Sequence, residues 1–417
     1  MLLCSAMKLV GIVALAATAA LAAACSSNHN SDTGADAGSG SGSGYPEAMP
    51  PAGLIPQVIN SGGTVFGTPV VYPIFFAGSA AGNDTMTEPY VEAFLPMLAT
   101  SDYWKSVGME YGVGALTIMP SIVSMDAVPT SDQALRGYLD TQLDGNHAGW
   151  PAADVKTTIY MVVLPAGQSY QGACTSFDGY HDENPVPGAS GYTYAIIANC
   201  GASGATSALD EVTVTISHEL IEAATDPKVN SYPAYLSTDT EHRAWAQEAG
   251  AEVGDMCEWS TESGQRLVGN YMVQRIWSNK AALEGHDGCQ PALSTPYVNA
   301  WPSIGDVTIT GSTAMTEGLT IAQGASANLT LTMFSDAPTD PWQISVLDAD
   351  TVFADAPSSF SVFYGPVTSG SNGTQVALSI TRDKPVSSNG NLLFVENLVG
   401  SDQSDLQVPT YWWIYVQ

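Results

Sequence analysis

The chain is predicted to hold an α/β domain over residues 58–298, followed by an all-β sandwich over residues 303–417. In the first region, Val- and Ile-rich runs typical of buried strands alternate with runs whose apolar residues recur at helical spacing. After Pro302 the sequence changes to short runs of Val, Ile, Thr and Phe separated by Gly, Ser, Asn and Asp. That pattern is typical of antiparallel strands joined by turns.

The strands and helices of the α/β domain follow from local patterns. Residues 65–76 read as a strand that contains Pro, which favours an edge position because Pro cannot donate to a neighbouring strand. Further strands are expected at residues 116–123, 157–164 and 192–198, and helices at residues 88–98, 131–143 and 209–225. Ser131 is the expected N-cap of the second helix.

The C-terminal region predicts an Ig-like sandwich. About seven short strands are expected over ~115 residues. The runs that stand out are residues 307–310, 327–332, 343–346, 359–362, 375–380 and 411–416. Since no ionisable cluster stands out there, we interpret the region as an accessory or binding module, with a purely structural cap as the alternative.

The charge of the chain excludes some partners. It has 41 acidic residues against 11 Lys and Arg, a formal net charge of −30, although only 12% of its residues are charged. Such a chain should not bind nucleic acid or anionic lipid directly. The acids are scattered, as on a solvated extracellular surface, and they would concentrate divalent cations near the protein.

The N-terminus predicts export. Residues 1–25 resemble a lipoprotein-type signal peptide: Lys8 precedes an apolar stretch too short to span a membrane, and small residues precede Cys25. The usual Leu stands one residue too early, so an ordinary secretory signal is the alternative. Residues 26–57 are predicted to be a flexible Gly/Ser linker. We therefore expect a bacterial envelope protein, anchored in the membrane by lipid on Cys25, or a secreted one.

Cysteine usage agrees with export. Outside the signal region four cysteines remain: Cys174, Cys200, Cys257 and Cys289. In an oxidising compartment an even set predicts two disulfides, and three pairings are open. Proximity in sequence favours Cys174–Cys200 and Cys257–Cys289. The alternative, a cysteine metal site, is disfavoured because the chain has no Cys-x-x-Cys.

The most informative motif is His218-Glu219-x-x-Glu222, in the helix expected at residues 209–225. Positions i and i+4 share one helix face, so His218 and Glu222 could hold one ion. This is the layout of the His-Glu-x-x-His zinc helix, with Glu in place of the second His and Glu219 as general base. The α/β domain is therefore expected to be zincin-like, with an active-site helix. The alternative is a solvated helix face with an isolated His.

A third ligand must come from outside the helix. The candidates are Glu252 and Asp255, in the segment Gly250 to Glu258, and His181 upstream. The two remaining histidines considered, His242 and His286, lie in polar stretches and are expected at the surface.

Several motifs together resemble a known family. They are Ser101-Asp102-Tyr103-Trp104, Cys174 to His181, His218-Glu219-Leu220-Ile221-Glu222, Asp226-Pro227-x-x-Asn230, Glu252-Val253-Gly254-Asp255-Met256-Cys257-Glu258, and Val273 to Asn279 before Cys289. In order and spacing they are similar to the EXORDIUM/phosphate-induced protein family of plant cell walls and its bacterial relatives, over about residues 60–295. The resemblance implies a secreted protein with a metalloprotease-like motif.

The resemblance also bears on single residues. The plant members carry Asn where this chain has Asp226, which implies a helix-ending role for that residue rather than a metal ligand. The Glu-x-x-Asp element is similar to the gluzincin arrangement, which implies Glu252 as third ligand and Asp255 as the group that orients His218. The reverse assignment stays open.

Two functions from different classes follow. The first is a surface-tethered, metal-dependent hydrolase of the peptidase type. In it Glu219 takes a proton from water, and His181 or Tyr180 stabilises the oxyanion. The ion is expected to be Zn²⁺, or a harder cation such as Mn²⁺ or Ca²⁺, because two carboxylates and one imidazole suit either. The second is a non-catalytic protein that binds an envelope or wall polymer, with a structural or degenerate metal site.

Overall fold

The computed structural model describes residues 48–77, 84–186, 189–202, 206–247, 250–258, 264–353, 356–387, 390–400 and 407–417. The expected signal peptide with Cys25, and residues 26–47 of the expected linker, lie outside the described residues. Residues 48–57 were also assigned to the linker, but they pack on the protein. Ile55 is buried, and Trp301 Nε1 donates to the carbonyl of Ala48. No helix in the described part of the chain is long and apolar enough to cross a membrane.

Six α-helices occur in the described residues. They are α1 (Thr87–Thr100), α2 (Asp102–Glu110), α3 (Asp132–Gln142), α4 (Ala208–Thr225), α5 (Asn279–Leu283) and α6 (Ala349–Phe353). The first, third and fourth match predicted helices, and Ser131 caps α3 as expected by accepting from the Ala134 N–H. Helix α2 was not predicted. Its N-cap is Ser101, whose hydroxyl accepts from the Trp104 N–H.

Residues 58–297, here called the body, contain twelve strands among the described residues. They are β1 (Val58–Ile59), β2 (Val70–Phe76), β3 (Thr117–Ile118), β4 (Ile122–Ser124), β5 (Thr158–Val163), β6 (Gly179–Val186), β7 (Ala189–Ile197), β8 (Ser237–Thr238), β9 (Gln265–Val268), β10 (Tyr271–Gln274), β11 (Ile276–Trp277) and β12 (Cys289–Gln290). The main sheet has the order β3-β2-β5-β7-β6, and β4 also pairs with β2. Its pairs are parallel except β6 with β7.

The predicted edge position of the first long strand is wrong. Strand β2 lies between β5 on one side and β3 and β4 on the other. Pro73 is tolerated there because β3 pairs only with Val70 and Val71, and β4 resumes the pairing at Ile74. The missing N–H of Pro73 therefore faces the gap between two short strands, where no ladder hydrogen bond is lost.

Helix α4 is the centre of the body. It packs against β6 and β7 on one side and β10 on the other, so most of its side chains are buried. Thr213 donates its hydroxyl proton to the Met272 carbonyl, and the Ser217 hydroxyl accepts from the Gln274 N–H. These bonds fix the rotation of α4 about its axis and therefore the direction of its functional side chains.

Residues 298–417, here called the β unit, form two sheets. Its strands are β13 (Val298–Pro302), β14 (Gly305–Thr308), β15 (Met315–Leu319), β16 (Ser326–Ser335), β17 (Trp342–Asp348), β18 (Phe360–Tyr364), β19 (Ser369–Gly370), β20 (Gln375–Arg382), β21 (Asn391–Val399) and β22 (Gln407–Val416). One sheet has the order β13-β16-β20-β18, and the other β14-β15-β22-β21-β17-β19. The Ig-like topology stays a prediction.

The body and the β unit share one hydrophobic core. Buried residues of both belong to a single cluster, which includes Trp245 and Met256 of the body and Tyr411 and Trp412 of the β unit. The Tyr411 hydroxyl donates to the Met256 carbonyl at 2.8 Å. Strand β22 therefore supports the body segment that carries Asp255.

Candidate metal centre

The His218-Glu219-x-x-Glu222 motif lies in the C-terminal half of α4. Ser207 caps the helix by accepting from the Asp210 N–H, and Asp226 ends it. Because residues at i and i+4 share a face, His218 Nε2 comes within 2.9 Å of Glu222 Oε2. Asp226 is buried, and its side chain accepts from the Ala234 N–H, which agrees with a helix-ending role.

The Glu222 carboxylate is held by the loop that follows. Its Oε1 accepts the backbone N–H groups of Gly254 and Asp255, at 2.8 and 3.1 Å. Gly254 is required here, because a Cβ at this position would lie 2.6 Å from that same oxygen. Glu222 Oε2 is left to face the two histidines. One carboxylate oxygen is thus fixed by the backbone and the other is directed into the site.

Asp255 is the acid that reaches His218. Its Oδ1 lies 3.7 Å from His218 Nε2, and donor atoms of His218, Glu222 and Asp255 all lie within 4.8 Å of one another. Glu252, the other predicted third ligand, lies elsewhere: its Oε1 is 3.4 Å from His181 Nε2. The geometry therefore favours the reverse of the assignment that the gluzincin resemblance implies: Asp255, and not Glu252, is the acid placed to act as third ligand beside His218.

His181 reaches the site from the edge strand β6. Its Nδ1 lies 3.4 Å from Glu219 Oε2 and 4.0 Å from Glu222 Oε2. Only 3% of its side-chain surface is exposed. Strand β6 can pass this close to α4 because Gly179 lacks a side chain, and a Cβ there would lie 2.4 Å from Thr215.

Tyr180 does not belong to the site, so its predicted role as oxyanion donor is wrong. Successive strand residues point to opposite faces of a sheet. His181 faces α4, whereas the Tyr180 hydroxyl lies on the other face, where it donates to Asp132 and pairs with the Tyr170 hydroxyl.

The two site histidines are strongly biased towards their charged forms. Burial alone would lower the pKa of His218, but the carboxylates of Glu222 and Asp255 outweigh it and raise that pKa well above its usual value. The same balance, with Glu252 and Glu219 as the acids, raises the pKa of His181. The site thus carries a negative potential that attracts a cation.

The carboxylates respond to burial and to one another. Burial and the nearby Glu222 charge raise the pKa of Asp255 well above its usual value. Burial, with the neighbouring acids, raises the pKa of Glu252 and of Glu258 to about 7 each. Glu222 is the exception: burial would raise its pKa, but the two histidines lower it. Glu222 therefore stays ionised more readily than Glu252, Asp255 or Glu258.

The two predicted disulfides are confirmed. Cys174 pairs with Cys200, and Cys257 with Cys289. The second bond ties the short 3₁₀ turn Asp255–Cys257, which carries a candidate ligand, to strand β12. Both bonds are compatible with an extracellular or envelope location.

Of the two histidines expected at the surface, His286 and His242, only the first is exposed. His286 is exposed as predicted, with a side-chain exposure of 58%. His242 is not at the surface: it is fully buried, and its Nδ1 lies 2.7 Å from Asp239 Oδ1. It packs against Trp245 and Trp412, where the body meets the β unit.

Sequence reasoning missed two contributors to the site. Glu258 adds a fifth carboxylate, and Gly254 supplies both a donor and the space for Glu222. Both stand in the segment already singled out for Glu252 and Asp255. The 3₁₀ turn at Asp255–Cys257 brings residues three apart in sequence onto one side of the chain. No local sequence pattern predicts that turn.

Comparison with known proteins adds no assignment. No protein-family model matches the chain, and no curated protein matches it. The resemblance to the EXORDIUM family therefore stays a prediction, and the function rests on the geometry of the site.

Proposed function

We propose that the chain is an exported metal-dependent hydrolase that acts on peptide bonds. The observation that carries this proposal is the convergence of His218 Nε2, Glu222 Oε2 and Asp255 Oδ1, each offering one donor atom within 4.8 Å of the others. Imidazole and carboxylate are the ligands of hydrolytic zinc sites, and three protein ligands leave a position for water or substrate. A divalent ion held there would polarise a carbonyl and activate water.

The residues of the chain have separate parts in this proposal. Glu222, braced by two backbone N–H groups, orients the ligand set. Glu219 is buried one residue from His218 and is the carboxylate proposed to accept the proton of the attacking water. His181, held against Glu219 at 3.4 Å, is proposed to donate to the developing oxyanion, since the surrounding acids favour its charged form.

The ion is proposed to be Zn²⁺, with Mn²⁺ as the alternative. Two carboxylates and one imidazole suit both ions, and the two charges on the carboxylates balance those of the ion. Measuring the affinity of the same protein for zinc and for manganese distinguishes the two ions, and we expect zinc to bind more tightly.

Location follows from the sequence and the disulfides together. We propose that the body is exported and held at the bacterial envelope by lipid on Cys25, with peptides or wall polymers as the available partners. Mass analysis of the mature protein decides between a lipid-modified Cys25 and an ordinary cleaved terminus.

The test is hydrolysis of a broad peptide library by the purified chain, with and without chelation and metal restoration. Cleavage that is lost on chelation and restored by zinc supports the proposal. Absence of cleavage by zinc-loaded protein contradicts it. His147→Ala is the matched control for histidine variants of the site. The His147 side chain is 38% exposed, and its ion-pair partner is Asp144, which is not part of α4.

One observation favours a second candidate function, non-catalytic binding to an envelope polymer. The outer face of the sheet β13-β16-β20-β18 carries an open groove of about 600 Å³. It is lined by neutral side chains, including Asn328, Thr330 and Ser379, beside Phe363, which is 60% exposed. Neutral hydrogen-bonding groups beside an exposed ring suit a sugar polymer.

This second function is tested without deleting the β unit, because the shared core would be lost with it. Phe363→Ala removes the exposed ring and leaves the core intact. Loss of binding to isolated wall polysaccharide, with peptide hydrolysis absent in both proteins, would favour the binding function.

A further inference from the structure

Two ligand groups, not one, meet at the Glu222 carboxylate. The first joins His218, Glu222 and Asp255, and the second joins His181, Glu219 and Glu222. In each group the donor atoms lie within 4.8 Å of one another. The histidines approach Glu222 from different elements, His218 from α4 and His181 from β6. Glu222 therefore lies between two sets of side chains, each of which could ligate a metal ion.

The separations in both groups fit a bound ion. At ligand distances of about 2.0–2.1 Å, tetrahedral coordination places ligand atoms roughly 3.3 Å apart. In the first group, His218 Nε2 lies 2.9 Å from Glu222 Oε2 and 3.7 Å from Asp255 Oδ1. In the second, His181 Nδ1 lies 3.4 Å from Glu219 Oε2 and 4.0 Å from Glu222 Oε2. The two distances differ by 0.8 Å in the first group (3.7 minus 2.9) and by 0.6 Å in the second (4.0 minus 3.4).

His181 also has the outer partner that a ligating histidine needs. Its second ring nitrogen, Nε2, faces Glu252 Oε1 at 3.4 Å. Both atoms are buried, and neither makes a hydrogen bond of good geometry among the described residues. A metal-bound histidine normally donates its free N–H to a carboxylate, which fixes the ring. A small movement of Glu252 would complete that contact.

The charge of the site suits more than one divalent ion, because bound cations would let the clustered carboxylates ionise. Five carboxylates cluster here: Glu219, Glu222, Glu252, Asp255 and Glu258. Among the described residues their ion-pair partners are the two histidines, and no Lys or Arg lies within that distance. Ligating histidines are neutral. One divalent ion would leave a formal charge of −3, and two would leave −1, which is far less costly to bury.

We propose that this site binds two divalent cations that share Glu222. His218 and Asp255 complete the first site, and His181 with Glu219 completes the second. In this arrangement His181 is a ligand, and the second ion would take over the stabilisation of the oxyanion that was assigned to His181 above. The inference rests on the proposed function and deepens it, because two ions about 3.5–4 Å apart act as a clamp on both the attacking and the leaving atoms. Glu219 ligates through Oε2 and keeps Oε1 as proton acceptor.

The first test is the metal content of the purified full chain after dialysis against zinc chloride, measured by inductively coupled plasma mass spectrometry. The wild type should hold two equivalents of zinc. His181→Ala and His218→Ala should each hold one, and His147→Ala should still hold two. A single equivalent in the wild type overturns the inference, as does an unchanged content of two in both site variants.

A second measurement does not depend on any variant. Manganese titration of the wild-type chain should give an uncoupled electron paramagnetic resonance signal at one equivalent. At two equivalents it should give a spin-coupled signal, because the ions would lie about 3.5–4 Å apart. Two equivalents that remain uncoupled would place the second ion elsewhere and overturn the inference.

The outcomes separate this inference from the proposed function. One bound ion with metal-dependent hydrolysis rejects the second site and leaves the hydrolase standing. Two coupled ions without hydrolysis support the shared site and reject the hydrolase. No bound zinc or manganese rejects both.

Discussion

Replacing Gly254 by Ala is a direct steric test of the metal centre. The backbone of Gly254 has φ −77° and ψ −45°, a conformation that Ala adopts without strain. The added Cβ, however, would lie 2.6 Å from Glu222 Oε1 and 2.8 Å from His218 Nδ1. Since unstrained contacts lie near 3.5 Å, the two groups must separate from the loop by roughly 0.7–0.9 Å.

Displacing the Glu222 carboxylate costs free energy because the group is buried and hydrogen-bonded. Glu222 is buried, and its Oε1 is held by the N–H groups of Gly254 and Asp255. Moving it breaks those bonds or shifts the loop that carries Asp255, and either change spoils the ligand set. Misplacement of reacting groups by about 1 Å costs on the order of 100-fold in rate. We expect Gly254→Ala to lose at least 10-fold in zinc affinity and about 100-fold in peptide hydrolysis.

The assay is competition for zinc with a chromophoric chelator, together with hydrolysis at saturating zinc. The matched control is Gly137→Ala in α3, where a Cβ meets nothing within 4 Å. That change should raise the free energy of unfolding by up to about 1 kcal/mol and leave zinc affinity unchanged. If Gly254→Ala bound zinc as tightly as the wild type, the ligand set that we propose would be wrong.

Three further predictions follow from other contacts. Glu219→Gln should retain the ion at His218 and lose 10²- to 10⁴-fold in hydrolysis, since Gln cannot accept a proton; unchanged cleavage would exclude Glu219 as the base. Replacing Cys257 and Cys289 by Ser should lower the free energy of unfolding by roughly 3–4 kcal/mol, because the bond closes a loop with a sequence separation of 32, and a denaturant titration at equal zinc checks this. Burial raises the pKa of Glu317 from 4.5 to about 7, so the folded state binds its proton more tightly and loses up to about 3 kcal/mol of stability as pH rises through that range. Glu317→Gln should therefore raise the melting temperature at pH 8 but not at pH 4, and equal gains at both would refute the assignment.

The regular elements could be predicted because their signals are local. Helix α3 has an N-cap at Ser131 and apolar residues at helical spacing, and β5 is a continuous apolar run that is buried along its whole length. The disulfide pairing also followed from proximity along the chain. Strands β13, β15 and β21 were not predicted, since their burial depends on partners far away in sequence.

The candidate site was only partly predictable for the same reason. The i, i+4 relation of His218 and Glu222 is local and could be derived from the sequence. Which acid reaches His218 could not, because it depends on how the loop at Gly254 turns against α4. Reading residues 179–183 as a strand would have separated His181 from Tyr180 at once, since neighbours in a strand face opposite sides.

The buried state of His242 shows a different limit. Its polar neighbours, Asp239, Thr240 and Glu241, are typical of a surface loop. The β unit covers this segment, and Glu317 on β15 lies 3.8 Å from His242 Nε2. Polarity along the chain does not reveal that a second sheet will close over a polar segment.

The metal centre can be located directly by the anomalous scattering of zinc in crystals of the full chain grown with zinc. We expect a strong peak about 2 Å from His218 Nε2, Glu222 Oε2 and Asp255 Oδ1. Absence of density between these three atoms at saturating zinc would contradict it.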